Sequence, residues 1–484
     1  MVSTGEFYAG FQLFYPLVNL TGLPIDQINF LLCQLIGLGL AIPFRKVYGP
    51  KTTSATIRHT IEIVVGFALT FFCFGYQIWH LFFLSLVCYL IMLMGSQEWM
   101  QKAVFGFAML YLSVTHIFRQ IYDYGGYTLD ITGPMMIMVQ KLTSLAFSLH
   151  DGTVKSEEEL SADQKSQAVR TMPNLVSFYS YLFSFHGIMC GPMAFYSDYI
   201  AFIEGRNFSE PTKPSSVNGK SDKLPEETED IFQTDKVVLE KFCITAFIGF
   251  LMVFVTPHLY HLNGLTSTAF YEMSFLGRHI FLLVSMTFAR CKYYFAWKLG
   301  ETVNNAAGLG FTGFDEKGQP NWDLVNNCDI YKLETCNSLK LNMDSWNKTT
   351  MTWLRRVVYD RMPKFNTLAV FSVSAFWHGF YPGYYVCFAT GALLTVAARY
   401  VRRNIRPMFL KSDSLKAFYD AVTFLFTRMA NVYMCVPFAI LEFVPGLKLY
   451  TSFYWWMHIL SIGVIVYYTF IAPPKRRSQD KKQQ

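Results

Sequence analysis

The sequence predicts an all-α polytopic membrane protein, and three observations support this class. Of its 484 residues, 52% are hydrophobic and 15% are charged, whereas a soluble domain carries about 25% charged residues. Aromatic residues make up 17% of the chain, which suits helices that meet lipid and the membrane interface. Apolar stretches of membrane-spanning length recur along the whole chain. We therefore expect roughly 11 transmembrane helices, together with re-entrant and amphipathic helices.

The predicted spans follow one another with mostly short polar connections between them. They are Ile28–Phe44, Thr60–Tyr76, Ile78–Met94, Val104–Tyr122, Pro134–Leu149, Val238–Leu259, Phe275–Trp297, Thr367–Tyr381, Tyr384–Val401, Ala417–Phe443 and Tyr450–Ile471. The region Phe178–Ile203 is also apolar, but Gly187, Gly191 and Pro192 interrupt it. This interruption predicts bent or re-entrant helices instead of a straight span.

Two polar stretches interrupt the apolar pattern. Residues 151–173 contain the consecutive glutamates Glu157–Glu159 and are interpreted as a short amphipathic connector. Residues 205–235 are rich in Pro, Ser, Lys and Glu and lack apolar anchors, which predicts a flexible polar loop. No repeat of fixed period is visible in the sequence. We interpret residues 1–484 as a single membrane domain.

The distribution of basic residues predicts the orientation in the membrane. Lys and Arg are concentrated in the tail 473–484, in the loop after Val401 and in the segment 355–364. All three lie on one side of the predicted spans, so the positive-inside rule makes this side, and the C-terminus, cytosolic. The same rule accounts for the net charge of +7 without a nucleic-acid partner. The terminal Lys481 and Lys482 match a dilysine signal for retrieval to the endoplasmic reticulum, with a simple basic tail as the alternative.

His378 is the first candidate for chemistry. It lies in the apolar stretch Ser372–Tyr381, about 14 residues beyond Lys364, which corresponds to roughly 20 Å of helix. Ionisable groups inside hydrocarbon are costly and are functional candidates by default. Gly379 beside it leaves room for a substrate. A hydrogen-bonded structural histidine is the alternative, because other histidines lie in or beside apolar stretches: His80, His116, His279 and His458.

Asn347 is the second candidate and lies 31 residues upstream of His378. Asn347-Lys348-Thr349 is a literal N-glycosylation sequon, but the adjacent basic residues place this segment on the cytosolic side, whereas glycosylation requires a luminal site. An imidazole and a carboxamide that meet in a lipid-accessible chamber could transfer an acyl group.

Longer motifs surround these two residues. They are Trp346-Asn347, Trp377-His378-Gly379-Phe380-Tyr381-Pro382-Gly383-Tyr384-Tyr385, Lys292-Tyr293-Tyr294-Phe295-Ala296-Trp297, Asn304-Asn305-Ala306-Ala307-Gly308, Asp123-Tyr124-Gly125, His150-Asp151-Gly152 and Gly191-Pro192. Through these motifs the sequence from Leu23 to Ile471 resembles the membrane-bound O-acyltransferase family, and specifically its lysophospholipid acyltransferase branch. The resemblance implies helices arranged around a catalytic chamber.

The resemblance also implies a reaction, the transfer of a fatty acyl chain, unsaturated such as oleoyl, from acyl-CoA. The acceptor is the free hydroxyl of lysophosphatidylethanolamine, -serine or -choline, in phospholipid remodelling. His378 is then the general base, and Asn347 positions the carbonyl or stabilises the developing oxyanion. Candidates for binding the phosphates of acyl-CoA, with plain topology charges as the alternative, are Arg355, Arg356, Arg361 and Lys364. Candidates for contacting the substrate are Tyr293, Tyr294, Trp297, Asn304 and Trp377.

Direct attack on the thioester predicts acyl-CoA as a co-substrate and no resident cofactor. The ten cysteines show no CxxC or Cys/His spacing, so no metal site is predicted. We expect a monomer or homodimer in the endoplasmic reticulum membrane, with the bilayer and its lysophospholipids as partners. Two other functions stay open: an acyltransferase with a sterol or protein acceptor, and a non-enzymatic lipid transporter.

Overall fold

The computed structural model describes residues 7–126, 128–209, 232–259 and 262–472. Within these residues the only β-structure is one antiparallel pair, β1 (Gly313–Phe314) and β2 (Pro320–Asn321), in which Gly313 lies opposite Asn321. The predicted all-α class is therefore confirmed. Residues 210–231 of the predicted polar loop 205–235, and the basic tail 473–484, lie outside the described residues.

The α-helices of the described residues are numbered along the chain. They are α1 (Pro16–Thr21), α2 (Ile25–Lys46), α3 (Ala55–Phe74), α4 (Ile78–Met94), α5 (Met100–Tyr122), α6 (Thr132–Val154), α7 (Ala162–Gln167), α8 (Leu175–Leu182), α9 (Tyr196–Glu204), α10 (Arg206–Ser209), α11 (Thr234–Phe250), α12 (Thr256–Leu259), α13 (Thr268–Glu272), α14 (Phe275–Ala289), α15 (Cys291–Ala307), α16 (Ile330–Thr335), α17 (Leu339–Asp344), α18 (Lys348–Val357), α19 (Asn366–His378), α20 (Pro382–Asn404), α21 (Arg406–Phe409), α22 (Asp413–Ile440), α23 (Phe443–Ser452) and α24 (Trp456–Val466). Single 3₁₀ or π turns occur at Gly75–Gln77, Glu157–Glu159, Leu251–Val255, Leu262–Thr266, Tyr359–Arg361 and Tyr467–Ile471.

Six helical stretches of the described residues are long and apolar enough to cross a membrane, and a bent pair of helices would make a seventh. They are Ile25–Lys46, Ala55–Met94, Met100–Tyr122, Thr234–Thr266 (without residues 260 and 261, which are not described), Pro382–Asn404 and Asp413–Ile440, and the bent pair is Phe443–Ser452 with Trp456–Ile471. The stretch Ala55–Met94 holds two of the predicted spans, joined by the turn Gly75–Gln77. The total of 11 spans stays a prediction.

Some predicted spans differ from the helices. The predicted span Tyr450–Ile471 is broken, and its two parts meet at an angle of 79°. The break occurs because Tyr454 and Trp455 have φ values of 52° and 53°, which a continuous α-helix does not allow. The predicted span Thr367–Tyr381 is a helix of only 13 residues that ends at His378. The interrupted region Phe178–Ile203 is broken as predicted, since residues 183–195 separate α8 from α9.

The described residues form two compact units. The first unit takes its residues from Met1–His258, Ala289–Ile330 and Trp346–Phe380. Its central helix is α6, in which every residue from Met138 to Ala146 is buried. A helix that is buried on all sides lies in the interior of its unit. Neighbouring helices α5 and α18 pack against it.

The second unit takes its residues from Leu259–Phe288, Tyr331–Ser345 and Tyr381–Gln484. In it α20 packs against α22 and α24. His458 of α24 contacts the hydroxyls of Tyr433 (2.9 Å) and Thr390 (3.2 Å), one at each ring nitrogen. This histidine is therefore a hydrogen-bonded structural residue. The single-domain organisation of residues 1–484 stays a prediction.

Replacement of Gly66 in α3 tests the packing of the first unit. A Cβ atom at this position would lie 1.6 Å from the carbonyl oxygen of Phe183, which belongs to the chain between α8 and α9. Gly66→Ala is therefore expected to lower the free energy of unfolding by about 1–3 kcal/mol, the usual cost of overpacking. Thermal unfolding in detergent measures the loss. The control is Gly39→Ala in α2, where a Cβ meets nothing within 4 Å; equal melting temperatures for the two variants would contradict the close approach.

Candidate active site

Helix α6 holds both segments that carry the candidate residues. Asn347 directly precedes α18, and His378 is the last residue of α19. On α18, the indole Nε1 of Trp353 donates to Thr143 Oγ1 at 2.8 Å. On α19, the indole Nε1 of Trp377 donates to the carbonyl oxygen of Met136 at 3.1 Å. Because Met136 and Thr143 belong to the same buried helix, their positions fix α18 and α19 relative to each other.

A second hydrogen bond and a ring contact complete this arrangement. Gln140 Nε2 donates to Thr350 Oγ1 at 2.8 Å, again from α6 to α18. The rings of Trp353 and Trp377 lie 5.7 Å apart, so the two short helices also contact each other directly. The structure therefore brings the segments of Asn347 and His378 together, although 31 residues separate them in the sequence.

The tautomer of His378 follows from its hydrogen bond. Nδ1 lies 2.7 Å from the carbonyl oxygen of Ser374, one turn earlier in α19. A carbonyl oxygen only accepts, so Nδ1 carries the hydrogen. In the neutral ring the lone pair is then on Nε2, and this is the nitrogen able to take a proton. The indole of Trp377 packs edge-on against the imidazole, with ring centroids 4.7 Å apart.

His116 of α5 supports the end of α19. Its Nε2 donates to the carbonyl oxygen of Trp377 at 3.1 Å, an oxygen that the end of a helix leaves without an intrahelical partner. Gly379 follows with a φ of 115°, and a Cβ atom there would lie 3.2 Å from the imidazole of His116. His116 thus lies against the backbone on both sides of His378, and sequence reasoning gave it no such role.

The conformation of Asn347 is unusual for the residue that begins a helix. Its φ and ψ are 47° and 52°, in the left-handed region, which Asn tolerates better than most residues. Its side chain makes no capping hydrogen bond to α18, the common task of an asparagine in this place. Instead, its Oδ1 accepts from Nδ2 of Asn327 at 3.2 Å. The carboxamide of Asn347 is therefore not used to cap α18.

Three of the predicted substrate residues surround Trp346, the neighbour of Asn347. The ring of Trp346 lies 5.7 Å from that of Tyr293, 6.0 Å from Tyr294 and 4.8 Å from Trp297. All three project from α15, two of them one helical turn apart. The structure thus gathers these three predicted residues around the residue that directly precedes Asn347, and their contact with a substrate stays a prediction.

Asn304, also on α15, lies in a different environment. Its Oδ1 accepts from His186 Nδ1 at 2.6 Å, and its Nδ2 donates to the carbonyl oxygens of His186 and Gly300. His186 Nε2 in turn faces Glu62 Oε1 at 3.1 Å. Glu62, His186 and Asn304 are all at most 2% exposed. The amide is committed to this buried network, and contact with a substrate stays a prediction.

Comparison with known proteins identifies the family. The model of the membrane-bound O-acyltransferase family matches residues 116–436. The chain belongs to this family. Human membrane-bound glycerophospholipid O-acyltransferase 2 is 42% identical over 98% of this chain and 89% of its own length. Human membrane-bound glycerophospholipid O-acyltransferase 1 is 41% identical over 96% and 92%. Lysophospholipid acyltransferase 6 of Drosophila melanogaster is 40% identical over 97% of this chain and 64% of its own length.

The family assignment and the apolar helices together make the chain a multi-pass membrane protein. The matched region begins within α5, at His116, and includes α6, α18 and α19 in full, together with α15, which carries the aromatic cluster. Both candidate catalytic residues therefore lie in the part of the chain that defines the family.

Three of the four predicted phosphate-binding residues of this family member already have protein partners. Arg356 donates to both oxygens of Asp163, at 2.8 and 2.7 Å, and Arg355 lies 3.5 Å from the same carboxylate. The hydrogen bond from Arg356 holds the pKa of Asp163 below its ordinary value. Arg361 donates to both oxygens of Asp151, at 2.7 and 2.5 Å. Lys364 is exposed. The pairs of Asp163 attach α7 to α18, and the pair of Asp151 attaches the end of α6 to the turn Tyr359–Arg361. Contact of these residues with acyl-CoA stays a prediction.

Arg361→Ala separates the structural role from phosphate binding. Only 3% of the Asp151 side chain is exposed, and Lys155 is its second cation at 3.1 Å. Loss of one partner of a buried pair costs about 3–5 kcal/mol; with Lys155 in place we expect about 2–3 kcal/mol, measured by thermal unfolding. The double variant Asp151→Asn/Arg361→Gln removes both charges and should recover most of the stability. If that stable variant also keeps the KM for acyl-CoA, Arg361 does not bind its phosphates.

Proposed function

We propose that this protein transfers a fatty acyl chain from acyl-CoA to the free hydroxyl of a lysophospholipid. The names of its relatives describe acyl transfer to glycerophospholipids and lysophospholipids. The observation that carries the proposal is the arrangement around α6. This buried helix binds both α18 and α19, and so brings the segments of Asn347 and His378 together. The tautomer of His378 is fixed, and the side chain of Asn347 does not cap its helix.

His378 acts as the general base. A glycerol hydroxyl is a poor nucleophile, and the lone pair on Nε2 takes its proton as the oxygen attacks the thioester carbonyl. The new ester C–O bond forms, the C–S bond breaks, and the imidazolium returns its proton to the leaving thiolate of coenzyme A. The hydrogen bond from Nδ1 to Ser374 keeps the ring orientation constant during both transfers. No acyl-enzyme, metal or resident cofactor is needed, and their absence stays a prediction.

Asn347 stabilises the charge that develops on the thioester oxygen. Its carboxamide supplies a donor that is already oriented, so the reaction does not have to organise one. The aromatic cluster of Tyr293, Tyr294, Trp297 and Trp346 borders this position and suits the acyl chain. Acyl-CoA arrives from the cytosol, where the basic segment 355–364 is the proposed contact for its phosphates.

The location follows from the charge pattern of the sequence. We place the protein in the endoplasmic reticulum membrane with a cytosolic C-terminus, on the same side as the basic segment 355–364 and the basic loop after Val401. In this membrane the lysophospholipid reaches the site from the bilayer. Acceptors from the lysophosphatidylethanolamine, -serine and -choline group, oleoyl-CoA as donor, and a monomer or homodimer complete the proposal.

Substitution of the two central residues tests the mechanism. His378→Ala is expected to lower kcat by about 10²–10⁴-fold because the general base is lost. Asn347→Ala is expected to lower it by about 10²–10³-fold because an oxyanion donor is lost. Release of coenzyme A from oleoyl-CoA, with purified protein in nanodiscs, measures both. Asn347→Gly is the control for the backbone: glycine suits the φ of 47°, so recovery of activity would assign Asn347 a conformational role only.

A panel of acceptors tests the substrate class. Labelled oleoyl-CoA is incubated with lysophosphatidylethanolamine, lysophosphatidylserine, lysophosphatidylcholine, cholesterol and a serine-containing peptide. We expect label only in the phospholipid products, with His378→Ala as the negative control. Label in the sterol or the peptide alone would contradict the proposed acceptor. Movement of lysolipid across the bilayer without consumption of thioester would indicate a transporter.

A further inference from the structure

Asn327 is a buried residue of the loop between β2 and α16, and only 2% of it is exposed. Its hydrogen bonds join it to residues 347–349, at the start of α18. Its backbone oxygen accepts from the amide of Lys348 at 2.8 Å. Its side-chain Oδ1 accepts from the amide and the hydroxyl of Thr349, at 3.1 and 2.7 Å. Its Nδ2 donates to Oδ1 of Asn347 at 3.2 Å.

These contacts determine how both carboxamides are turned. A backbone amide only donates, so the atom of Asn327 that faces the amide of Thr349 must be its oxygen. The other end of the same carboxamide, Nδ2, therefore faces Asn347. Because Nδ2 only donates, Asn347 must present its oxygen to it. The Nδ2 amide of Asn347 is consequently the end that points away from Asn327.

Asn327 also caps α18, a role that an asparagine at position 347 would normally have. The first amides of a helix have no intrahelical acceptor, and an asparagine at the preceding position normally caps them with its own oxygen. Here the amides of Lys348 and Thr349 are both bound by Asn327. The side chain of Asn347 makes no capping bond, and its oxygen is held from the side.

We propose that Asn327 is a positioning residue for acyl transfer. It caps α18 in place of Asn347 and turns the carboxamide of Asn347 so that its N–H donor, and not its oxygen, faces the thioester. A reversed carboxamide would place a partial negative charge next to the developing oxyanion, so the orientation decides whether Asn347 stabilises or opposes the reaction. This inference rests on the proposed role of Asn347 as a donor.

Asn327→Asp is the decisive variant, because it changes one contact and keeps the others. A carboxylate still accepts from the amide and hydroxyl of Thr349, but it accepts from Asn347 as well. Asn347 then turns its Nδ2 towards position 327 and its oxygen towards the substrate. We expect kcat to fall by about 10²-fold, close to the loss in Asn347→Ala, with the KM values for oleoyl-CoA and lysophospholipid unchanged. Thermal unfolding verifies that the variant is folded.

Two further variants distinguish positioning from stability. Thr349→Val removes one of the bonds to Asn327 Oδ1 but leaves the backbone bond, so this control should keep its kcat. In the double variant Asn327→Asp/Asn347→Ala there is no carboxamide left to turn, and its kcat should equal that of Asn347→Ala. A residue with only a structural role would lower kcat further in the double variant, and that result would overturn the proposal.

The remaining outcomes separate this inference from the proposed function. If Asn347→Ala is inactive but folded Asn327→Asp has full kcat, the positioning role alone is wrong. If Asn347→Ala is itself active, the donor role of Asn347 is wrong and the positioning role falls with it. Should Asn327→Asp fail to fold, the neutral Asn327→Ala replaces it. That variant leaves Asn347 unheld but not reversed, so we expect a smaller loss of kcat, and full kcat would again overturn the proposal.

Discussion

The first unit depends on one helix that is buried on every side and still offers polar groups to its neighbours. Helix α6 supplies a hydroxyl, a carboxamide and a backbone oxygen to the indoles and the threonine of α18 and α19. Inside an apolar interior such bonds are few, and a polar group without one is costly. Each of these hydrogen bonds therefore fixes the position of α18 or α19 against α6. Two short helices, too small to be stable alone, acquire a defined geometry in this way.

The same principle governs other buried polar groups of the first unit. Lys141 of α6, 2% exposed, donates to the carbonyl oxygen of Tyr181 and the hydroxyl of Ser184, at 2.7 and 2.9 Å. The buried set of Glu62, His186 and Asn304 joins α3 to α15. A buried network that is fully satisfied makes a packing arrangement unique.

Composition and apolar length predicted the helical class and the interrupted region Phe178–Ile203. The chemistry of an imidazole and a carboxamide, together with the family motifs, pointed to His378 and Asn347. Three features stayed hidden: the support from His116, the support from Asn327, and the break at Tyr454. The contacts of His116 and Asn327 join residues that are 261 and 20 positions apart, and no local pattern encodes such a pairing. The break contains no glycine or proline, the residues by which a sequence signals an interruption.

The hydrogen bond of the His378 ring ends on a main-chain oxygen of its own helix. Every amino acid that can occupy position 374 within that helix brings the same oxygen to the same place. The tautomer of His378 is therefore insensitive to substitution of Ser374, unlike that of a histidine oriented by an aspartate side chain. Substitution at position 374 can therefore change the volume and polarity beside the ring while the orientation of the ring stays the same.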